Sequence, residues 1–246
     1  MAKKEMVLYG KNTVYERLRT NPKSIRKISL QDNFDSSQIE KIIRAQNIPV
    51  GRLSHKEFSK FKADKNPQGI IAIIDGFTYA SFEEFLSLPE DKRLTLVFLD
   101  RIYDPQNLGA IIRTLACFGR FGVIIPRHEA CGVTETVLNI ASGGENYIPV
   151  AMVTNITSAI IMAKAKGYWV MGGMVSDEAR TIHEISIPFP LGLVLGSEGE
   201  GIRQGVQKLL DIQARIPMGG AKLSFNIATA CAIFCYEISR QREGVT

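Results

Sequence analysis

Hydrophobic positions fall into two regimes along this chain. Up to residue 75 they come in short bursts of changing period. Residues 12–19 have a short helical apolar pattern, 25–30 read as a strand, and 36–47, with Ile39, Ile42 and Ile43 recurring, read as an amphipathic helix. Residues 48–53 make a short strand, Ser54-His-Lys-Glu57 is a capping box that opens another helix, and 69–74 make a buried strand. That is a small α/β sandwich, too short for a full nucleotide-binding domain. A bridge follows at about 76–92, with a second capping box, Ser81-Phe-Glu-Glu84, and a helix that stops at Pro89. From residue 94 the pattern changes to continuous apolar runs at 94–99, 122–125, 147–152, 168–171, 191–195 and 212–216. Helical stretches separate most of them, including 155–166, closed by Gly167 at a C-cap position. Runs buried on both faces and alternating with helices predict a parallel sheet covered on both sides. Ligands of such sheets sit beyond the C-terminal strand ends.

The last stretch, from Ile216-Pro-Met-Gly-Gly to Glu237, leaves a strand, passes a Gly-Gly turn and enters a helix that is apolar nearly all round. Such a helix must be covered on most sides. Its mouth nevertheless carries Ser224 and Asn226, where backbone N–H groups are free, as expected of a pocket floor.

Composition refines this picture in two ways. The formal net charge of +5 is uneven: residues 1–75 hold 15 Lys/Arg against 8 Asp/Glu, and the remainder 15 against 17. A basic N-terminal third points to a polyanionic partner, nucleic acid first. Cys117, Cys131, Cys231 and Cys235 lack zinc-site spacing, and Cys231 and Cys235 read as core residues, so no metal is expected. With no secretory signal and no apolar stretch long enough to span a bilayer, a cytoplasmic protein is expected.

Three loops at strand ends carry the candidate chemistry. The first, Asp100-Arg-Ile-Tyr-Asp-Pro-Gln-Asn-Leu-Gly-Ala-Ile-Ile-Arg-Thr114, enters a helix. Asn107 can cap it, Gly109 permits close packing, and Arg113 lies on the face of Gly109. A cation that near a helix start opposes the macrodipole, so it calls for a phosphate or carboxylate partner. The second, Leu195-Gly-Ser-Glu-Gly-Glu-Gly-Ile202, bares its backbone to a ligand. It is neither a dinucleotide fingerprint nor a P-loop, and Glu198 suits a neutral or cationic ligand better than a triphosphate. The third is the stretch from Ile216.

Taken together, Asn107-Leu-Gly-Ala-Ile-Ile-Arg-Thr, Leu195-Gly-Ser-Glu-Gly-Glu-Gly and Ile216-Pro-Met…Ser224-Phe-Asn226 resemble the three motifs of the SpoU branch of the SPOUT RNA methyltransferases. Tyr9-Gly-Lys-Asn-Thr-Val and Pro67-Gln-Gly-Ile-Ile-Ala resemble the ends of the L30e-like substrate-binding domain of the ribosomal RNA guanosine 2′-O-methyltransferases. The chain departs from the family at Phe225, at Pro67, and at Gly172-Gly173, where a hydroxyl is common.

The resemblance implies an α/β fold: residues 1–75 an L30e-like RNA-binding domain, 76–92 a linker, and 93–246 a methyltransferase domain with a deep C-terminal trefoil knot. It implies S-adenosylmethionine as cofactor, 23S ribosomal RNA as partner and a homodimer with the site near the subunit interface. Alternatives within the family act on transfer RNA or confer antibiotic resistance through ribosomal RNA; outside catalysis, a ribosome-assembly protein on the same scaffold is the rival. By resemblance Arg113 is the central catalytic residue. An arginine is a poor base, so it is expected to stabilise a developing alkoxide and hold the adjacent phosphate. Asn107 would orient Arg113 or the ribose, Glu198 would fix Arg113 or its loop, and Ser224 and Asn226 would position substrate. Gly173, Gly196, Ile216 and Phe225 match positions lining the cofactor pocket.

Overall fold

A computed structural model describes residues 5–61, 67–221 and 223–243. The first part runs β1 (Met6–Tyr9), α1 (Lys11–Thr20), β2 (Ile25–Gln31), α2 (Ser37–Ala45), β3 (Val50–Leu53), α3 (His55–Phe61) and β4 (Ile70–Ile74). These strands form a mixed sheet in the order β1-β4-β2-β3, in which only β2 and β3 run parallel. The capping box at α3 forms in full: Glu57 N–H donates to Ser54 Oγ at 3.3 Å, and Ser54 N–H returns to Glu57 Oε2 at 3.0 Å. At α4 (Phe82–Leu86) only half of the second box closes, Glu84 N–H donating to Ser81 Oγ at 3.4 Å while that hydroxyl turns to Glu83.

The rest continues with β5 (Thr95–Asp100), α5 (Pro105–Phe118), β6 (Phe121–Pro126), α6 (Glu135–Ala141), β7 (Val150–Val153), α7 (Ile156–Ala165), β8 (Trp169–Gly173), β9 (Arg180–Thr181), β10 (Leu191–Gly196), α8 (Gln204–Gln207), β11 (Ile212–Arg215) and α9 (Ile227–Glu243). Its seven strands, ordered β7-β6-β5-β10-β8-β11-β9, are all parallel. Alternate residues of one strand serve opposite faces. Val97 and Leu99 join the core under α5, α6 and α9, whereas Leu96 and Phe98 join the one under α4 and α7. Both faces are covered, which is why β5, β6 and β10 read as unbroken apolar runs.

One expected strand is corrected and one strand was not foreseen. The strand expected at 147–152 begins only at Val150, because residues 144–146 make a 3-10 turn and Pro149 cannot donate to a ladder. The two-residue β9 has no apolar run to announce it. The final helix is covered on most sides, as expected; Thr229 and Arg240 are exposed, and Tyr236 keeps 62% of its surface in solvent.

Candidate active site

The three predicted loops meet. Asn226 Nδ2 donates to Glu198 Oε1 at 2.7 Å and to Asn107 Oδ1 at 2.9 Å, while Asn107 Nδ2 donates to the same Glu198 oxygen at 3.2 Å. Residues 91 and 28 positions from Glu198 in sequence thus close one triangle with it. Ile227 N–H, at the mouth of α9, adds a longer bond to Glu198 Oε1 at 3.4 Å. A carboxylate belongs there, since the start of a helix offers free donors and a positive dipole end. Asn226 also caps α9, its Oδ1 accepting from Ala228 N–H at 2.9 Å.

Asn107 does not cap α5, contrary to the sequence-based expectation. Asp104 takes that place, accepting from Gln106 N–H at 2.8 Å, with Pro105 at the first helical position. Asn107 is left inside the first turn, buried, with its amide free to reach Glu198.

Beside this triangle opens a cavity of about 430 Å³ at the C-terminal ends of β8, β10 and β11. Gly173, Gly196, Ile216 and Phe225 all line it, as do Glu198 and Ser224. Leu195, Ile202 and Phe234 give it apolar walls; Glu198 and Glu200 are its acids, and no Lys or Arg is among the described lining residues. A cleft with apolar walls and two carboxylates suits a flat heteroaromatic group that carries a cation, and disfavours a polyphosphate. Two glycines are dictated by packing. A Cβ on Gly196 would lie closer than 3.0 Å to the backbone of Gly201 and Ile202, and one on Gly173 would meet Leu195 and Phe234 at 2.9 Å. Gly199 and Gly201 turn the loop with φ of 92° and 67°, and Ser197 and Gly201 exchange backbone bonds of 3.2 and 3.0 Å across it.

Arg113 stands apart. It lies on the α5 face of Gly109, which packs against Ile140 and the Val137 carbonyl, and its Cα abuts Gly144. Its side chain is exposed, pairs with no described residue, and does not line the cavity.

The structure adds residues that sequence reasoning missed. Asp100, fully buried at the end of β5, accepts from Arg203 N–H at 3.0 Å and from its Nε at 2.8 Å. That hydrogen bond holds the Arg203 guanidinium above its ordinary pKa. Arg101, with φ of 64°, pairs with Glu200 at 2.6 Å. These pairs strap the glycine loop to the first loop. A charged pair closing an otherwise apolar strand, Asp100-Arg101, was the available signal.

Comparison with known proteins gives the family. The family model described as SpoU rRNA Methylase family matches residues 94–236. The chain belongs to the SpoU rRNA methylase family. A second model, described as RNA 2′-O ribose methyltransferase substrate binding, matches residues 7–80. By family the chain is an RNA 2′-O-ribose methyltransferase. A Staphylococcus saprophyticus protein named for the TrmH family of tRNA/rRNA methyltransferases is 34% identical over 242 residues, covering 97% of this chain and 96% of its own. Among solved structures, the SpoU methyltransferase AviRb from Streptomyces viridochromogenes in complex with AdoMet superposes with a TM-score of 0.81 at 20% identity, over 98% of this chain and 91% of that one. An AdoMet-bound rRNA methyltransferase from Sinorhizobium meliloti does so with a TM-score of 0.79 at 24% identity, over 97% and 87%. At those identities the SpoU fold is what the two structures share with this chain. Among the described residues, no helix is long and apolar enough to cross a membrane.

Proposed function

We propose that the chain transfers a methyl group from S-adenosylmethionine to a ribose 2′-hydroxyl of a guanosine in 23S ribosomal RNA. The observation that carries this reading is the Asn107–Glu198–Asn226 triangle at the rim of an acidic, apolar-walled cavity. The lining fits S-adenosylmethionine: Leu195, Ile202, Ile216 and Phe225 would hold its apolar, aromatic part, and Glu198 and Glu200 would offset its positive charge. It supplies an electrophilic methyl group. AdoMet occupies the two solved relatives named above.

The chain's own residues then align and activate the acceptor. Ser224 and Asn226 orient the ribose at the cavity rim, and Glu198 fixes both asparagines. Arg113 lowers the cost of ionising the 2′-hydroxyl by placing a positive charge beside the developing alkoxide and the neighbouring phosphate. Its guanidinium is too weak a base to take the proton itself, so the 2′-hydroxyl proton leaves to water as the oxygen takes the methyl group. In a single chain it stands off the cavity, which favours a homodimer in which a second copy brings the bare faces of α5 and α9, with Arg113 and Tyr236, against a partner's site. Residues 1–75 serve as the L30e-like RNA-binding domain, 76–92 as the linker and 93–246 as the methyltransferase domain. Met218, Ser224 and Phe225 lie against the glycine loop on the way to α9, the passage at which we place the trefoil knot. The enzyme works in the cytoplasm.

The test has two arms. Titration calorimetry with S-adenosylmethionine should show one site per chain; a protein that binds none is an assembly factor rather than an enzyme. Mass-spectrometric mapping of ribose methylation in RNA from cells with and without the gene should show one 23S guanosine losing its methyl group. Loss at a transfer RNA position instead would overturn the substrate.

A further inference from the structure

β1 is an edge strand, and a bare edge invites pairing with another chain. Here α6 covers it with side chains. Val7 N–H donates to Glu135 Oε1 at 2.9 Å, Tyr9 N–H donates to Asn139 Oδ1 at 2.8 Å, and Asn139 Nδ2 donates back to Val7 O at 3.1 Å. The Asn139 amide thereby does for Val7 and Tyr9 what a neighbouring strand would do. Next to this seam, Arg17 of α1 donates to Glu145 at 2.8 Å, the two residues being 6% and 7% exposed. Asn146 Nδ2 supports the same carboxylate oxygen at 3.2 Å, and the Tyr147 hydroxyl donates to Glu16. On the far side of the junction the connecting segment is pinned as well: Tyr79 Oη accepts from Val133 N–H at 2.8 Å, and Ala80 N–H donates to Val150 O at 2.9 Å. A polar cavity of about 490 Å³ lies between these two seams.

The buried pair is a poor source of stability. Arg17 Nε and Glu145 Oε2 find no protein partner. Burial pushes the Glu145 carboxyl above the usual carboxylate range and the Arg17 guanidinium below its own, against their mutual attraction. An apolar pair of equal volume would hold the two parts together at least as well. What a buried ion pair adds is direction. Apolar side chains tolerate sliding by a fraction of a residue, whereas a displaced ion pair leaves two charges buried alone.

We propose that Arg17 and Glu145 are positioning residues that lock the RNA-binding part at one angle on the methylase part, so that RNA held by the first reaches the transfer site of the second in one register. The inference rests on the methyl-transfer reading for its consequence and on the seam geometry for its existence.

The experiment uses the full chain with Glu145→Ala, the milder Glu145→Gln, and the charge swap Arg17→Glu with Glu145→Arg. Hydrogen exchange reads the seam directly. In Glu145→Ala the amides of Val7 and Tyr9 should exchange about tenfold faster while those of Val97 and Leu99 keep their protection. Against ribosomal RNA, kcat/KM should fall about tenfold to a hundredfold, as misplacement of a substrate by about an ångström does. The dissociation constant for S-adenosylmethionine should stay within about twofold. The swap should recover kcat/KM to within about threefold of wild type. Wild-type exchange at Val7 and Tyr9, an unchanged kcat/KM, or a swap no better than its single variants would overturn the proposal. Should Glu145→Ala fail to fold, the same comparisons are made on Glu145→Gln, which keeps a hydrogen-bond acceptor for Arg17 and removes the charge. If no variant and no wild-type protein transfers methyl, the function is refuted, and exchange at residues 6–9 still decides the lock.

Discussion

Replacing Gly196 with alanine is the sharpest test of the cavity. The added Cβ would sit closer than 3.0 Å to Gly201 C, Gly201 O and Ile202 N, whereas ordinary contact begins at 3.4 Å. These neighbours are backbone, so no side chain can rotate away. Either β10 or the glycine loop must move, by about an ångström. Overpacking of this kind costs about 1–3 kcal/mol, and rigid neighbours place this case near the top of that range. The displaced residues, Gly201 and Ile202, line the cavity, and a radial gap of about 0.5–1 Å forfeits a quarter to a half of each contact's attraction. We expect affinity for S-adenosylmethionine to fall at least about tenfold, or about 1.4 kcal/mol, and turnover to fall about a hundredfold. Calorimetric titration and thermal unfolding read the two effects. Gly205→Ala is the control: its Cβ meets nothing within 4 Å, and alanine in α8 should be neutral or stabilise by up to about 1 kcal/mol. A Gly196→Ala protein with wild-type affinity and melting temperature would show that the loop does not press on β10 as described.

Asp100→Ala should strip Arg203 of its buried partner and loosen the glycine loop; urea unfolding should register a loss of about 3–5 kcal/mol, discounted toward the lower figure because Arg203 is 37% exposed. Asn226→Ala should remove the α9 cap, worth about 1 kcal/mol, and lower turnover more than that stability loss accounts for, read by methyl transfer at a temperature where both proteins are folded. Arg113→Ala should leave S-adenosylmethionine binding within about twofold and cut methyl transfer at least about a hundredfold; wild-type turnover would remove Arg113 from the mechanism.

The alternation of short elements before residue 75 and the long apolar runs after residue 94 were legible because burial leaves a period in the sequence. Strands covered on both faces, such as β5 with Leu96 and Phe98 on one side and Val97 and Leu99 on the other, are apolar between their ends. Where burial was incomplete the reading failed. β9 is two residues with one exposed, and on α9, read as covered on most sides, the composition did not say which positions would stay bare, namely Thr229, Tyr236 and Arg240. An apolar composition says that a helix is able to be buried, not that its own chain buries it.

The site divides along a different line. Gly173, Gly196, Ile216 and Phe225, singled out by motif, line one cavity: the first three sit at the ends of β8, β10 and β11, whose positions the sheet dictates, and Phe225 lies just before α9. The hydrogen-bond partners were not legible. Asn107 was assigned a cap by its position near a helix start, but Asp104-Pro105 is the stronger start signal, and that frees the Asn107 amide for Glu198. Asp100 and Arg203, 103 residues apart, were missed altogether. The charge that closes an apolar strand marks Asp100 locally, but nothing local names Arg203 as its partner; the pair exists only once β10 is laid beside β5 with Gly196 opposite Asp100. The same holds at the junction, where Arg17 and Glu145, 128 residues apart, are buried together. Local periods therefore reveal which residues are buried, and strand order determines which polar groups are buried together. In this chain the second kind of information organises both the transfer site and the angle at which RNA is brought to it.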